Sequence, residues 1–140
     1  MASEDEELFG EEHVRVYRET NGERGYIWRN GTEILLLTTI GRKSGEPRTT
    51  PLIHRRDGDR LVIVASKGGA PEHPAWFKNL SENDDVKVQV KADEFPVSAS
   101  VAEGTERERL WALMTEVWPD YHAYQGNTDR QIPIVVLERA

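Results

Sequence analysis

A small antiparallel β-barrel with two or three helices, a mainly β (α+β) architecture, is the fold class this sequence predicts. Three observations lead to it. Short β-branched runs recur between turn signals along most of the chain. Two of them alternate apolar and polar residues with period two, as half-buried strands do. Closure into a barrel is the common way for so many short strands to lose their exposed edges. The 140 residues allow one core and not two, so residues 1–140 are read as one domain and every motif as part of one site.

The elements follow in chain order. Residues 1–7 are polar and acidic and are expected to fray. Leu8 to Glu19 follows as a helix, with Leu8, Phe9, Val14 and Tyr17 as loosely periodic apolar positions. Asn21-Gly22 and Asn30-Gly31 mark turns, and the β-branched and leucine-rich run Ile34 to Ile40 reads as a buried strand. Gly41 to Pro47 breaks that strand; Arg48 to Arg55 resumes as another, joined through Asp57-Gly58 to Leu61-Val62-Ile63-Val64. Lys67 to Pro71 cannot continue a strand, and His73-Pro74 opens a short helix bearing Trp76, Phe77, Asn79 and Leu80. Val86, Val88 and Val90 alternate with Lys87, Gln89 and Lys91; Phe95, Val97, Ala99 and Val101 repeat the pattern, giving a hairpin expected to turn at Asp93-Glu94. Thr105 with Glu108 has capping-box spacing and predicts a helix through Leu110, Trp111, Met114 and Val117, ended by Pro119. Ile132 to Leu137 is the last strand, with Pro133 near its start, where the missing N–H does least harm.

Charge and composition exclude several classes. Cysteine is absent, which removes disulfides, thiolate metal sites and a Cys nucleophile. A formal net charge of -7 argues against a general nucleic-acid binder. No apolar run approaches the roughly 20 residues of a bilayer span, and the N-terminus lacks signal-peptide character. The cytoplasm is therefore the expected location. His13, His54, His73 and His122 are scattered without metal-ligand spacing, so no metal is expected and no Ser-His-acid set can be assembled.

The charge is uneven. Residues 1–12 carry six acids and no Lys or Arg, whereas residues 42–67 carry seven bases: Arg42, Lys43, Arg48, Arg55, Arg56, Arg60 and Lys67. A local positive site inside an acidic protein points to a small anionic ligand. Arg42-Lys43-Ser44-Gly45, with Arg48 just beyond, offers cations, a hydroxyl and glycine-exposed N–H groups suited to a phosphate; a solvated basic hairpin tip is the competing reading. Ser66-Lys67-Gly68-Gly69 follows an apolar strand, where glycines permit close approach and Lys67 can reach an anion, or where an ordinary turn sits. Neither loop has P-loop or dinucleotide-fold spacing. Trp76 and Asn79 are three apart on one helix face, one able to pack on a planar ring and the other to hydrogen-bond; Tyr121 and Tyr124 are one turn apart and can share a cavity.

Taken together, Thr38 to Gly45, Pro51-Leu52, Ala65 to Gly69, His73 to Leu80, Tyr121 to Gln125 and Asp129 to Val135 closely resemble the deazaflavin-dependent nitroreductase family of actinobacteria, from about Gly25 to the C-terminus. The resemblance implies a split β-barrel of the FMN-binding type that holds coenzyme F-420 (8-hydroxy-5-deazaflavin) and passes its hydride to a quinone, enone or nitro-type acceptor. It further implies that Arg42, Lys43, Arg48 and Lys67 grip the phosphate and the glutamate-bearing tail. Pro51, Ile53, Ala65, Ser66, Gly68, Trp76 and Asn79 would form the ring pocket. Tyr121 and Tyr124 would stand on the acceptor side, with Ser66 as a further catalytic candidate. Ile53 and Trp118 stand where a nitroimidazole-activating member carries tyrosines, which argues against nitroimidazole turnover.

Three rival readings stay open from the residues alone: an FMN-dependent reductase, because the basic loops suit that phosphate equally; a non-catalytic F-420 carrier; and a plain interaction domain whose basic patch meets an acidic protein and binds no small cofactor tightly. The expected partner is a small-molecule electron acceptor, not a nucleic acid. Weak peripheral contact at the inner face of the membrane ranks below a cytosolic life, since the N-terminal acids are repelled by anionic headgroups. Oligomeric state is not readable from the sequence.

Overall fold

The structure is a computed structural model that describes residues 7–140. Of the expectation that residues 1–7 fray, all but Glu7 lies outside the described residues. The elements are α1 (Gly10–Thr20), β1 (Glu33–Ile40), β2 (Pro47–Asp57), β3 (Arg60–Val64), α2 (Ala75–Glu82), β4 (Val86–Val90), β5 (Asp93–Val101), α3 (Gly104–Val117), α4 (Asp120–Gly126) and β6 (Ile134–Arg139), with single 3-10 turns at Arg29–Gly31 and Lys67–Gly69.

The six strands close into a barrel in the order β1-β2-β3-β6-β5-β4, every neighbour pair antiparallel. Strand periodicity explains why so many positions are apolar. Leu35 and Leu37, Leu61 and Ile63, and Val135 and Leu137 point into the barrel. Their outward-facing neighbours are also apolar because helices cover them: Ile34 and Leu36 meet Val14 and Tyr17 of α1, while Val62, Val64, Ile134 and Val136 meet Leu110 and Met114 of α3 and Tyr121 of α4.

The barrel is split along one seam. β2 pairs with β1 from Pro47 to His54, but with β3 only at Arg55, Arg56 and Asp57. Upstream of Arg55 the two strands diverge. Pro51 fits this arrangement, because a proline in a paired strand must turn its missing N–H toward an unpaired edge. α1 covers one side of the seam and α4 the other, which leaves a cleft between helices over the open edge of β2.

Three local expectations are corrected. The β4–β5 hairpin turns at Lys91-Ala92, since Val90 pairs with Asp93; Lys91 takes the left-handed φ of 55°, and its N–H is held by the Tyr17 hydroxyl at 2.7 Å. Helix α3 begins before Thr105: Glu103 is its N-cap, without a side-chain cap bond, and the Arg107 N–H bonds to the Glu103 carbonyl at 3.3 Å, two residues ahead of the capping-box frame. β6 begins at Ile134 because the Ile132 N–H is taken by Gln125 Oε1 at 2.9 Å and Pro133 has none to donate.

Candidate functional site

Two adjoining cavities open over the seam. The first, about 530 Å³, is lined by Arg18 and Glu11 of α1, the Gly41–Ser44 loop, Pro47 to Thr50 of β2, and Ala75, Trp76 and Asn79 of α2. Four cations (Arg18, Arg42, Lys43, Arg48) face the single carboxylate of Glu11 there. The second, about 570 Å³, runs from Thr50, Pro51, Leu52 and Ile53 of β2, across Val64, Ser66, Lys67 and Gly68, to Trp118, Tyr121 and Tyr124, with Phe9, Gly10, His13 and Trp28 closing its far wall. Thr50 and Trp76 line both cavities, so they meet as a cationic arm joined to a mainly apolar chamber.

The cationic arm is built from a loop that closes on itself. The Gly41 N–H bonds to the Glu46 carbonyl and the Gly45 N–H to the Gly41 carbonyl, both at 2.8 Å. Asn79 is buried on α2 and pins this loop: its Oδ1 accepts from the Arg42 backbone N–H at 3.2 Å while its Nδ2 donates to Thr39 at 3.2 Å. The Asn79 amide is thus spent on the loop, and it lines the arm rather than the chamber. Arg18 donates to the Thr49 hydroxyl at 2.9 Å, which fixes a cation from α1 at the rim.

The chamber's loop wall is held from behind. Lys67, Gly68 and Gly69 all have left-handed φ, at 46°, 64° and 83°. Such a run is favourable only for glycine, so the surroundings must fix Lys67. Arg130 does so, donating to the carbonyls of Ala65 (3.2 Å), Ser66 (2.6 Å) and Ala70 (2.8 Å). It also contacts His73 Nδ1 at 3.1 Å. An arginine only donates, so His73 Nδ1 accepts; burial first, then the charges of Arg130 and Lys78, lower the His73 pKa and keep that ring neutral.

On the opposite wall, the Tyr121 and Tyr124 rings lie 6.0 Å apart in an edge contact. Trp118 Nε1 donates to the Tyr124 hydroxyl at 3.2 Å, leaving that O–H free to donate onward. The Tyr121 hydroxyl has no hydrogen-bond partner among the described residues; burial, then the neighbouring Tyr124, push its pKa above the ordinary phenol value, so it too is a donor at neutral pH.

The sequence-derived site residues therefore divide. Arg42, Lys43, Arg48 and Asn79 line the arm; Pro51, Ile53, Ser66, Lys67, Gly68, Tyr121 and Tyr124 line the chamber; Trp76 lines both. Lys67 is thus set apart from the other three tail cations. Ala65 lines neither cavity: its side chain is fully buried in the barrel core, and its carbonyl faces Arg130. Of the seven bases, Arg55, Arg56 and Arg60 line neither cavity; Arg55 pairs with Glu116, and Arg60 with Asp57 and Glu106.

Sequence reasoning missed the α1 wall. Phe9 is 74% exposed at the mouth. The Trp28 and Trp118 rings stack 6.1 Å apart. His13 Nε2 donates to the Gly25 carbonyl at 2.8 Å, because a carbonyl can only accept. Nothing local marks Phe9, His13 and Trp28 as chamber residues, because this wall forms only once α1 folds across the seam; Trp118 joins it from the end of α3.

Residues 9–139 match the family model described as F420H(2)-dependent quinone reductase. An F420H(2)-dependent quinone reductase of Mycobacterium tuberculosis (strain H37Rv) is 43% identical over 130 residues, covering 91% of this chain and 87% of the relative. The solved structure of an F420-H2 dependent reductase, FDR-A, superposes with a TM-score of 0.68 at 43% identity, covering 75% of this chain and 93% of that one. A second solved chain, described as a domain-swapped dimer, gives a TM-score of 0.71 at 39% identity over 89% of this chain and 96% of its own.

Proposed function

The chain belongs to the F420H(2)-dependent quinone reductase family, and from that premise we propose that it passes a hydride from reduced coenzyme F-420 to a quinone, with enones and nitro compounds as weaker acceptors. The observation that carries this reading is the junction of the two cavities: a cationic arm fits an anionic tail, and an apolar chamber sharing Trp76 with it fits a flat ring beside a flat acceptor.

When bound, the coenzyme supplies the hydride; positioning and electrostatics are left to the protein. Arg42, Lys43 and Arg48 hold the phosphate and tail through charge-assisted bonds, with Lys67 reaching the same ligand from the chamber side. Pro51, Ile53, Ser66, Gly68 and Trp76 form the walls against the ring. Tyr121 and Tyr124 donate hydrogen bonds to an acceptor oxygen and steady the negative charge that grows there. The chamber has few polar groups beyond these phenols, Ser66, Lys67 and His13. A quinone, apolar in its plane with carbonyls at its ends, matches that pattern better than a nitroimidazole, since Ile53 and Trp118 add no hydroxyl.

The test is a steady-state panel of quinones, enones and nitro compounds, following loss of the reduced F-420 signal. Turnover is expected to be fastest with naphthoquinones such as menadione. Tight F-420 binding with a silent panel would replace the reductase by a carrier.

A further inference from the structure

Arg130 sits outside both cavities on the segment between α4 and β6, yet its guanidinium reaches both ends of the loop that walls the chamber. It donates to the Ala65 and Ser66 carbonyls at the loop's start and to the Ala70 carbonyl at its end, and it meets His73, which precedes α2 and Trp76. A planar fork with five N–H groups can bridge several acceptors at fixed angles; an ammonium cannot.

The same segment is tied to the helix carrying the two tyrosines. Gln125 of α4 donates to the Arg130 carbonyl at 2.7 Å and accepts from the Ile132 N–H at 2.9 Å. Helix and loop also touch directly, since a Cβ added at Gly69 would lie 2.9 Å from the Tyr124 Cα. Two walls of the chamber, distant in sequence, thus meet on one residue: the Arg130 side chain holds the loop and its backbone carbonyl holds α4.

Building on the function proposed above, we propose that Arg130 is a positioning residue which locks the Ser66–Ala70 loop to α4 and so sets the spacing between the cofactor-side wall and the acceptor-side tyrosines. Hydride transfer is steep in that spacing: a misplacement of about 1 Å costs on the order of 100-fold in rate. A residue that never touches a ligand therefore governs both coenzyme affinity and turnover.

The test compares Arg130→Met with Arg107→Met. Arg107 donates to the Ile132 carbonyl at 2.7 Å and so braces the same segment without reaching the loop. Three quantities are read for each protein: amide hydrogen exchange over residues 66–70 and 121–126, the Kd for F-420, and kcat with menadione. In Arg130→Met, exchange is expected to accelerate in both segments together, with the Kd rising at least tenfold and kcat falling by about 100-fold. Arg107→Met is expected to lower Tm while leaving all three as in the wild type. If Arg130→Met does not fold, Arg130→Lys keeps the charge without the fork and is expected to reproduce the loss. Guanidinium ions should partly restore Arg130→Gly, because the site backs onto a cavity of about 410 Å³ lined by Arg107, Trp111 and Arg130 itself.

Equal losses of Tm in the two Met variants, with exchange, Kd and kcat unchanged, would overturn the proposal. Exchange accelerating in only one segment would overturn the coupling. The exchange readout needs no ligand, so a wild-type protein that fails to bind F-420 defeats the proposed function without deciding the role of Arg130.

Discussion

Tyr121 and Tyr124 share a wall but differ in what holds their hydroxyls. Tyr124 is oriented by the Trp118 indole, whereas Tyr121 is held by packing alone and is only 4% exposed. Replacing both with Phe is expected to lower kcat/KM for menadione by about 100-fold, the usual cost of removing donors from a developing oxyanion. The F-420 Kd should stay unchanged in the same preparation. Because the Tyr121 phenol is pushed above its ordinary value of about 10, kcat/KM should show no alkaline limb from this group below about pH 10. The three-residue spacing made this pair legible in the sequence. His13 was not legible, because a lone histidine on a helix looks alike whether it faces a chamber or a core; only the Gly25 carbonyl and the crossing of α1 give it a direction.

At the scale of elements, the loop after β3 is the one whose sequence and geometry agree most closely. Its glycines were read as permitting close approach, and Gly69 provides it: a Cβ there would meet the Tyr124 backbone, whereas one at Gly68 would meet nothing within 4 Å. Both have left-handed backbones, so each Gly→Ala change costs about 1–2 kcal/mol for conformation alone. Gly69 is also buried where Gly68 is exposed, so Gly69→Ala, which adds the clash, is expected to lower Tm well beyond Gly68→Ala and to slow menadione reduction. Equal Tm losses would remove the close approach as a determinant of the site. The capping box at Thr105 and the turn at Asp93-Glu94 failed for a shared reason. Each is a local pattern that strand pairing overrode: the Val90–Asp93 pair fixed the turn, and the Ala102 N–H bond to the Ile134 carbonyl carried β5 pairing almost to the start of α3.

Across the whole molecule, strand count and amphipathic pattern conveyed a barrel, but not where it splits. The seam depends on how far β2 stays paired with β3, a long-range property that Pro51 alone could only hint at. His54 lies near that seam, 2% exposed, with Nδ1 buried and unpartnered among the described residues. Burial is the main cause that lowers its pKa from 6.5 to about 4. The unfolded chain therefore binds the proton first. The stability contributed by this neutral ring is fully present above pH 6.5, and it is lost as pH falls through about 4, amounting to about 3 kcal/mol in all. Urea unfolding at pH 7 and pH 4 should show a smaller acid loss in His54→Met than in the wild type; an identical loss would place acid sensitivity elsewhere.

That one ligand spans the cationic arm and the apolar chamber is tested most directly by a tryptophan-fluorescence titration of intact F-420 against the same deazaflavin lacking phosphate and tail. The intact coenzyme is expected to bind at least about 100-fold more tightly, the effect of several charge-assisted bonds. That advantage should collapse in Arg42→Glu/Arg48→Glu, while the tail-less ring binds as before. Equal affinity for the two ligands, or an advantage that survives the double reversal, would contradict a tail held in the arm.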